Sequence, residues 1–302
     1  MSDISITNVH LDLGAGRRGT DMGPSAIHVA GLVPGLRRLG HSIADIDAIK
    51  VSMFEERDPG DASARFLPEI LQTCSLLADR VEQTTRAGQL PLVLGGDHAQ
   101  AIGTISGLSR VHRARGERVG VIWVDAHTDM NTPDTTNSGN IHGMPLAALL
   151  GYGAPGLVAL SGDEPALRPE DVVVIGARDV DARETELVKQ AGVRVYTMSE
   201  LDLRGTGTCV AEAVQQVLEH TAGVHLSFDL DGVDPQHAPG VGTPVPGGLT
   251  LRESHTICEA VSRSGKLLGM EMVELNPTLD DRNRTGELAV WLILSALGQT
   301  IL

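Results

Sequence analysis

Three closely spaced polar side chains follow an apolar run in the middle of this 302-residue chain. Residues 119 to 125 read VGVIWVD, and the run leads directly into DAHTD, which supplies Asp125, His127 and Asp129. In an extended stretch, alternate side chains point to the same face, so these three groups can meet at one place. The pattern indicates a metal site, and the simpler alternative is a solvated acidic loop.

Two other apolar runs end in similar groups, which disfavours the solvated loop. The run VHLSFDL ends in Asp229-Leu230 and is followed by Asp231, and PLVLGG is followed by Asp97-His98. Two imidazoles and four carboxylates are too many for one four-coordinate zinc, but they suit two harder divalent ions bridged by carboxylates. The mixed oxygen and nitrogen set favours manganese over magnesium or zinc, although iron, cobalt or nickel also accept such ligands. The predicted metal ligands are His98, Asp125, His127, Asp129, Asp229 and Asp231.

Charge supports the same interpretation. Without metal, four converging carboxylates would repel one another and raise their own pKa values, whereas two divalent ions would offset them. A pair of such ions can also activate water for attack on a polarised carbon, so hydrolysis needs no protein nucleophile. The sequence contains no GxSxG motif and no cysteine in a histidine-paired motif, which agrees with that chemistry.

The elements that must position these groups form a repeating pattern. Short β-branched runs alternate with helix-period segments, which predicts a three-layer α/β/α fold with a central, mostly parallel sheet of about eight strands. No linker or repeat interrupts the pattern, so we expect one domain over residues 1–302. The predicted strands are ISITNVHLD near the amino terminus, SIADID, PLVLGG, VGVIWVD, DVVVIGA, VRVYTM, VHLSFDL and LLGMEMVEL.

Ligands of open α/β sheets bind beyond the carboxyl ends of the strands, where all of the chosen side chains lie. Glu274 lies at the end of the last predicted strand and joins this set. The long irregular regions 126–142 and 231–248 are expected to be functional loops. Residues 65–87 are expected to form a helix, with apolar positions near helical spacing at Ile70, Leu71, Cys74, Leu76, Leu77 and Val81.

Composition excludes several classes of protein. The chain has 24 Lys and Arg against 39 Asp and Glu, so its net charge of −15 would repel nucleic acid. Aromatic residues make up 2%, which leaves few surfaces for base stacking. No run approaches the ~18 apolar residues that span a bilayer, and no secretory leader is visible. The three scattered cysteines suggest neither a disulfide framework nor structural zinc, and we expect a cytoplasmic protein.

Motifs spread over nearly the whole chain resemble the arginases of the ureohydrolase family. They are GRRGTDMGPSAI at 16–27, GGDH at 95–98, DAHTDMNTPDTTNSGNIHG at 125–143, SFDLDGVDP at 227–235, GTPVPGGLT at 242–250 and MVELNP at 272–277. The resemblance implies two Mn²⁺ ions per chain and hydrolysis of L-arginine to L-ornithine and urea, by attack of a metal-bridging hydroxide on the guanidinium carbon. It also implies a homo-oligomer, either a trimer or a hexamer.

The resemblance assigns roles to individual residues. His98, Asp125, Asp129 and Asp229 would hold one ion, and Asp125, His127, Asp229 and Asp231 the other. Asp125 and Asp229 would bridge the ions, and Asp129 would orient the nucleophile. His142 resembles the residue that gives a proton to the departing amine, and Glu274 the carboxylate that pairs with the guanidinium. One departure is Ala99, where the family usually has serine after GGDH.

Substrate recognition separates the arginases from their relatives. In the resemblance, neutral donors face the substrate α-carboxylate and an acid faces its α-amino group. The expected contacts are Asn131, Thr136, Ser138, Asn140, Asp181 and Thr243, and Glu184 is either a support for Asp181 or a solvated helix start. Agmatine has no carboxylate, so an agmatinase would gain nothing from these donors. Agmatinase or another guanidino-compound ureohydrolase is the alternative.

Two remote alternatives come from other classes. Gly14, Gly16 and Gly19 form a GxGxxG after the first strand, as in NAD-dependent dehydrogenases, but the predicted helix starts further on, at Gly23. A catalytically silent metal-binding scaffold could dispense with His142 or Glu274, and both are present.

Other polar residues have a local interpretation. Asp97 is expected to cap the following helix, and Asp234, before a proline, to form a turn. The remaining histidines are interpreted as surface or core residues: His10, His28, His41, His112, His220, His225, His237 and His255.

Overall fold

The computed structural model describes residues 1–301 of the chain. All eight predicted runs form strands, and every pairing between these strands is parallel. The strands are β1 Asp3–Val9, β2 Ser42–Ile49, β3 Leu90–Leu94, β4 Gly120–Val124, β5 Val172–Ala177, β6 Arg194–Thr197, β7 Val224–Asp229 and β8 Leu267–Val273. They form one sheet, as the alternating pattern predicted.

Eleven α-helices connect the strands of the described part of the chain. They are α1 Gly23–Val29, α2 Leu32–Arg38, α3 Leu67–Arg86, α4 Ala101–Arg113, α5 Pro145–Leu149, α6 Pro155–Val158, α7 Ala182–Ala191, α8 Met198–Arg204, α9 Thr206–Leu218, α10 Leu251–Ser264 and α11 Arg284–Ala296. Within residues 1–301, none of these helices is long and apolar enough to cross a membrane.

The helices cover both faces of the sheet and create two cores. Side chains of α1, α2 and α8 to α11 pack on one face, and side chains of α3 to α7 pack on the other. Strand β4 has no alternation of apolar and polar residues, because both of its faces are buried. Ile122 and Val124 enter the first core, while Val121 and Trp123 enter the second. Burial on both faces explains the continuous apolar runs of a parallel sheet. The predicted three-layer fold is therefore confirmed.

Helix α3 follows its predicted bounds closely and packs on the second core. Ile70, Cys74, Leu77 and Val81 are buried along one face. Leu76 is 48% exposed, so its assignment to the apolar face was wrong. It lies one position from Leu77, and neighbouring helical residues point about 100° apart.

The strand order positions the site. It runs β2-β1-β3-β8-β7-β4-β5-β6, so the four middle strands are β3, β8, β7 and β4. These are the strands that lead into His98, Glu274, Asp229 and Asp125. Because all the strands are parallel, their carboxyl ends meet at one edge, and residues far apart in sequence become neighbours there.

Candidate active site

The ligand side chains are presented by tight turns that follow the strands. The backbone N–H of His127 donates to Oδ1 of Asp125 at 2.7 Å, and that of Asp231 donates to Oδ1 of Asp229 at 2.7 Å. Asp129 has a left-handed backbone with φ of 51°. The expected extended stretch with alternating side chains is therefore wrong, because the chain turns immediately after β4 and β7 and the turns make the groups converge.

A first cluster of side chains surrounds the imidazole of His98. Its Nδ1 lies 3.2 Å from Oδ2 of Asp125, 3.1 Å from Oδ2 of Asp129 and 3.2 Å from Oδ2 of Asp229. All four side chains are buried. Nδ1 of His98 and Oδ2 of Asp129 have no hydrogen-bond partner in the described chain. Buried polar atoms without partners are costly, so their convergence indicates a place for a cation.

A second cluster lies beside the first and shares one residue with it. Nδ1 of His127 is 3.2 Å from Oδ1 of Asp125 and 3.2 Å from Oδ2 of Asp231. Asp125 thus presents one oxygen to each imidazole, which is the arrangement of a bridging carboxylate. Ligand atoms of Asp125, His127 and Asp231 lie within 4.8 Å of one another, as do those of His98, Asp125 and Asp229. The geometry groups Asp229 with the first cluster, and its role as a second bridge stays a prediction.

Burial and mutual repulsion shift the pKa values of these carboxyl groups. Burial and the charge of Asp125 raise the pKa of Asp129 to about 7, and they raise the pKa values of Asp229 and Asp231 as well. Burial opposes ionisation of Asp125 too, but the imidazoles of His127 and His98 outweigh it and hold the pKa of Asp125 well below its usual range. The expected rise is therefore confirmed for three aspartates and wrong for Asp125.

The chemistry of the donors fits divalent cations. Two imidazole nitrogens and four carboxylates crowd into a buried space, and two of their atoms lack partners. Cations placed among them would satisfy the unpartnered atoms and reduce the repulsion between the carboxylates.

His142 and Glu274 form a second functional unit at the same edge of the sheet. Nδ1 of His142 lies 2.9 Å from Oε1 of Glu274, and the same oxygen accepts from the backbone N–H of His98 at 2.9 Å. The other carboxylate oxygen, Oε2, is buried and has no partner in the described chain. Burial alone would lower the pKa of His142, but Glu274 outweighs it and raises the pKa to about 9.

All the candidate ligands except Asp125 line a cavity of about 140 Å³, which adjoins a second one of about 460 Å³. Asn131, Asp181, Glu184 and Thr243 line the first cavity, and Asn140 and Thr243 line the second. Thr243 also donates to Oδ2 of Asp231 at 2.9 Å, so it braces a candidate ligand.

Thr136 and Ser138 line neither of these two cavities. The hydroxyl of Thr136 accepts from the backbone N–H of Ser138 at 3.2 Å and from that of Gly139 at 3.0 Å, and so shapes the loop. Ser138 is exposed on this loop, and the side chain of Arg65 donates to Oδ1 of Asn140 at 3.3 Å. Substrate contacts by Thr136 and Ser138 stay predictions.

Glu184 is buried and is not the solvated helix start that the sequence left open. Its carboxylate accepts from the backbone N–H of Met130 at 3.0 Å and from Nδ2 of Asn131 at 3.1 Å. It also accepts from the backbone N–H of Asp181 at 3.3 Å, at the start of α7. Glu184 therefore ties the loop after β4 to the mouth of the cavity, and it supports Asp181 there.

Sequence reasoning missed several residues that hold the site in place. Nε and the two terminal nitrogens of Arg178 donate to backbone oxygens of the loop after β7, including those of Asp231 at 2.7 Å and Val245 at 2.8 Å. Trp123 donates to Asp125, and Glu271 is buried within β8. The signal for Glu271 was an acid inside an apolar strand, whereas nothing in the sequence marked Arg178.

The glycine-rich segment after β1 is occupied by internal contacts. The N–H of Gly14 donates to Oδ2 of Asp97 at 2.7 Å, and that of Gly19 donates to Oδ2 of Asp12 at 3.3 Å. A single 3-10 turn follows before α1 begins, so these amides do not form the phosphate-binding turn of a dinucleotide fold. Asp97 also caps the next turn through the N–H of Ala99, as predicted.

The fold and the paired clusters define an α/β protein with two adjoining groups of candidate metal ligands at the carboxyl ends of its strands. The Arginase family model matches residues 2–298. An arginase of Bacillus caldovelox is 46% identical over 303 residues, with 100% of each chain covered. The solved structure of that organism's arginase at pH 5.6 aligns with a TM-score of 0.96 over 100% of both chains, at 46% identity. An Entamoeba histolytica arginase in complex with L-ornithine aligns with a TM-score of 0.90, at 30% identity over 99% of both chains.

The chain belongs to the arginase family. It is accordingly a hydrolase, as the motifs predicted.

Proposed function

We propose that this protein is a binuclear manganese arginase that hydrolyses L-arginine to L-ornithine and urea. The observation that carries the proposal is the convergence of two imidazole nitrogens and four carboxylates, two of whose atoms lack partners, beside His142 and Glu274. Membership of the arginase family supports the same substrate.

The two clusters would hold the two ions. His98, Asp125, Asp129 and Asp229 would bind one Mn²⁺, and Asp125, His127, Asp229 and Asp231 the other. Bound ions of this kind polarise water and lower its pKa toward neutrality, which supplies the nucleophile. The buried surroundings exclude bulk water and strengthen every charge interaction in the cavity.

Glu274 would orient the guanidinium group. Oε1 is already engaged by His142 and by the backbone of His98, while Oε2 is buried without a partner. A guanidinium N–H donor would satisfy Oε2 with a charge-assisted hydrogen bond. An apolar substrate has no N–H donor and could not satisfy Oε2 in this way.

His142 would deliver the proton that the leaving group needs. Cleavage of the bond between the guanidinium carbon and the side-chain nitrogen leaves an amine, which must be protonated. Nδ1 of His142 is held by Glu274, which leaves Nε2 for proton transfer. With its pKa raised to about 9, His142 carries its proton at neutral pH.

The amino-acid end of the substrate would lie toward the cavity mouth. Asp181 is an exposed acid there and suits an α-ammonium group, while Asn140 presents an amide to the adjoining cavity. Asn131 donates to Asp181 at 3.3 Å and to Glu184, so it fixes both acids as well as lining the cavity. The complex of the Entamoeba histolytica relative with L-ornithine supports a site for this product class.

The decisive experiment measures urea release after manganese loading, with L-arginine and agmatine as parallel substrates. The proposal predicts a strong preference for L-arginine, because only L-arginine offers a carboxylate to the donors at the mouth. A preference for agmatine would overturn the proposal that the cavity mouth binds the amino-acid end of the substrate. Absence of urea from both substrates, with manganese bound, would overturn the proposed activity itself.

Assembly and compartment complete the proposal. The sheet draws strands from Asp3 to Val273, which supports one domain. Cys74, Cys209 and Cys258 are free thiols, which supports a reducing compartment such as the cytoplasm. A homo-oligomer of three or six chains is the expected assembly, and light scattering measures its mass.

A further inference from the structure

Glu271 lies in the middle of β8 with its side chain fully buried. Oε1 accepts from the hydroxyl of Ser227 at 2.9 Å and lies 3.3 Å from Nε2 of His225. Oε2 accepts from the hydroxyl of Thr104 at 2.8 Å and from the amide of Gln100 at 3.3 Å. Neighbours on β7, within α4 and directly before α4 therefore satisfy both oxygens of this carboxylate.

One of these neighbours also contacts a candidate metal ligand. The hydroxyl oxygen of Ser227 lies 2.9 Å from Nε2 of His98. Ser227 has a single hydroxyl proton, and an ionised carboxylate only accepts hydrogen bonds. The proton of Ser227 is therefore directed to Glu271, and its oxygen must accept from an N–H at Nε2 of His98. The chain of donors runs from His98 through Ser227 to Glu271.

The direction of these hydrogen bonds determines whether the nitrogen of His98 that faces the first cluster carries a proton or a lone pair. Neutral imidazole carries one proton, so a proton at Nε2 leaves Nδ1 unprotonated. Nδ1 is the atom that lies 3.1 to 3.2 Å from Asp125, Asp129 and Asp229. The opposite tautomer would place a proton at the position where a cation must bind.

We propose that Glu271 is a positioning residue of the metal centre, and that it acts through Ser227 to hold His98 in the tautomer with a free lone pair at Nδ1. The inference rests on the proposed function, because it assumes that this cluster binds divalent ions. Its physical basis is general, since the partner of a ligand imidazole sets the orientation, tautomer and basicity of the ring.

The substitution Glu271→Gln separates the charge from the packing. The amide has nearly the shape of the carboxylate, but it carries donors in place of one acceptor oxygen. Ser227 can then accept from the amide and donate to Nε2 of His98, which stabilises the unproductive tautomer. We expect Mn²⁺ affinity to fall roughly tenfold to hundredfold. Ser227→Ala should cause a loss of similar size, and Ser227→Thr, which keeps the hydroxyl, should restore most of the affinity.

The matched control is Thr104→Val. It removes a hydrogen bond from Oε2 of the same carboxylate and leaves the contacts of Ser227 with Glu271 and His98 in place. We expect its Mn²⁺ affinity to stay within about threefold of the wild type. At saturating manganese, urea release by Glu271→Gln should return to within a few-fold of the wild-type rate, because the groups lining the cavity are unchanged.

The test is a double-mutant cycle on the Mn²⁺ dissociation constant, measured by equilibrium dialysis on the full chain. If Glu271 acts through Ser227, the double variant with Glu271→Gln and Ser227→Ala should bind Mn²⁺ no more weakly than the single variant with the lower Mn²⁺ affinity. Additive losses, or a Glu271→Gln protein that binds as the wild type does, would overturn the inference. Should Glu271→Gln not fold, Ser227→Ala with wild-type affinity would overturn it equally. Wild-type protein that fails to bind manganese would instead refute the proposed function.

Discussion

The indole ring of Trp123 stacks on the imidazole of His98, with the ring centroids 4.1 Å apart and the planes inclined by 14°. The same indole donates from Nε1 to Oδ2 of Asp125 at 3.0 Å. A core residue of β4 thus contacts two candidate ligands of the first cluster, one through its ring face and the other through its only polar atom. The core on the second face of the sheet therefore extends directly to the candidate metal ligands.

Trp123→Phe should weaken Mn²⁺ binding about tenfold, because phenylalanine keeps an aromatic face for His98 but removes the donor to Asp125. Equilibrium dialysis measures the change. The control is Trp291→Phe, since Trp291 is 51% exposed on α11 and should not affect affinity. Because the chain has two tryptophans, that control also leaves Trp123 as the sole indole, and its fluorescence should change when Mn²⁺ binds beside it. Wild-type affinity in Trp123→Phe would exclude a role for the indole N–H.

His142→Asn should lower kcat by about two orders of magnitude or more while two manganese ions stay bound, because the proposed role of His142 is to give a proton and not to bind metal. The raised pKa of about 9 adds a pH signature: the protonated form is lost as pH rises through that value. Wild-type activity should therefore decline above about pH 9, and the variant should lack this decline. The exposed His220→Asn is the control. Loss of manganese from His142→Asn would contradict the division of roles.

Asn140→Ala should reduce kcat/KM for L-arginine about tenfold to hundredfold, the range for a lost hydrogen bond to a charged group. Arg65 holds the amide oxygen of Asn140, which leaves the amide N–H groups for the substrate carboxylate. Any hydrolysis of agmatine should be unchanged, since agmatine has no carboxylate. Asn137→Ala, an exposed change on the same loop, is the control. Equal losses for both substrates would show that Asn140 acts on the guanidinium end or on the loop itself.

Removal of manganese should destabilise the protein more at neutral pH than at acidic pH. The pKa of Asp129 is about 7 in the folded metal-free protein against an ordinary value of 3.8, and the pKa values of Asp229 and Asp231 are also raised. Between these values the folded state binds more protons than the unfolded state, so stability falls as pH rises. The Tm difference between loaded and chelated protein should grow by about 5 °C from pH 5.5 to 7.5. A constant difference would contradict the pKa shifts.

The eight strands and the candidate ligands could both be selected from local patterns. The strands are confirmed, and metal binding by the candidate ligands stays a prediction. The apolar runs were long enough to identify each strand, and the polar groups followed directly after them. The strand order could not be predicted in the same way. Strands β3 and β4 are consecutive in the chain, yet β8 and β7 lie between them in the sheet.

Other features depended on contacts that no local pattern reports. The sequence left open whether Glu184 supports Asp181 or starts a solvated helix, and the tertiary fold decides this by burying it against Met130 and Asn131. The low pKa of Asp125 could not be predicted from like charges alone, because it depends on how close both imidazoles approach. Arg178 donates its side-chain hydrogen bonds to backbone oxygens. Apart from Gly176, which is two residues away, these partners become its neighbours only when the loop after β7 folds over β5.

We propose that six side chains from the ends of three strands bind a pair of divalent ions. Equilibrium dialysis against Mn²⁺, with elemental analysis of the metal and quantification of the chain, tests it most directly. We predict two ions per wild-type chain, and fewer than two in Asp125→Ala, which removes the carboxylate shared by both clusters. Less than one ion per wild-type chain, or an unchanged count in Asp125→Ala, would contradict the claim.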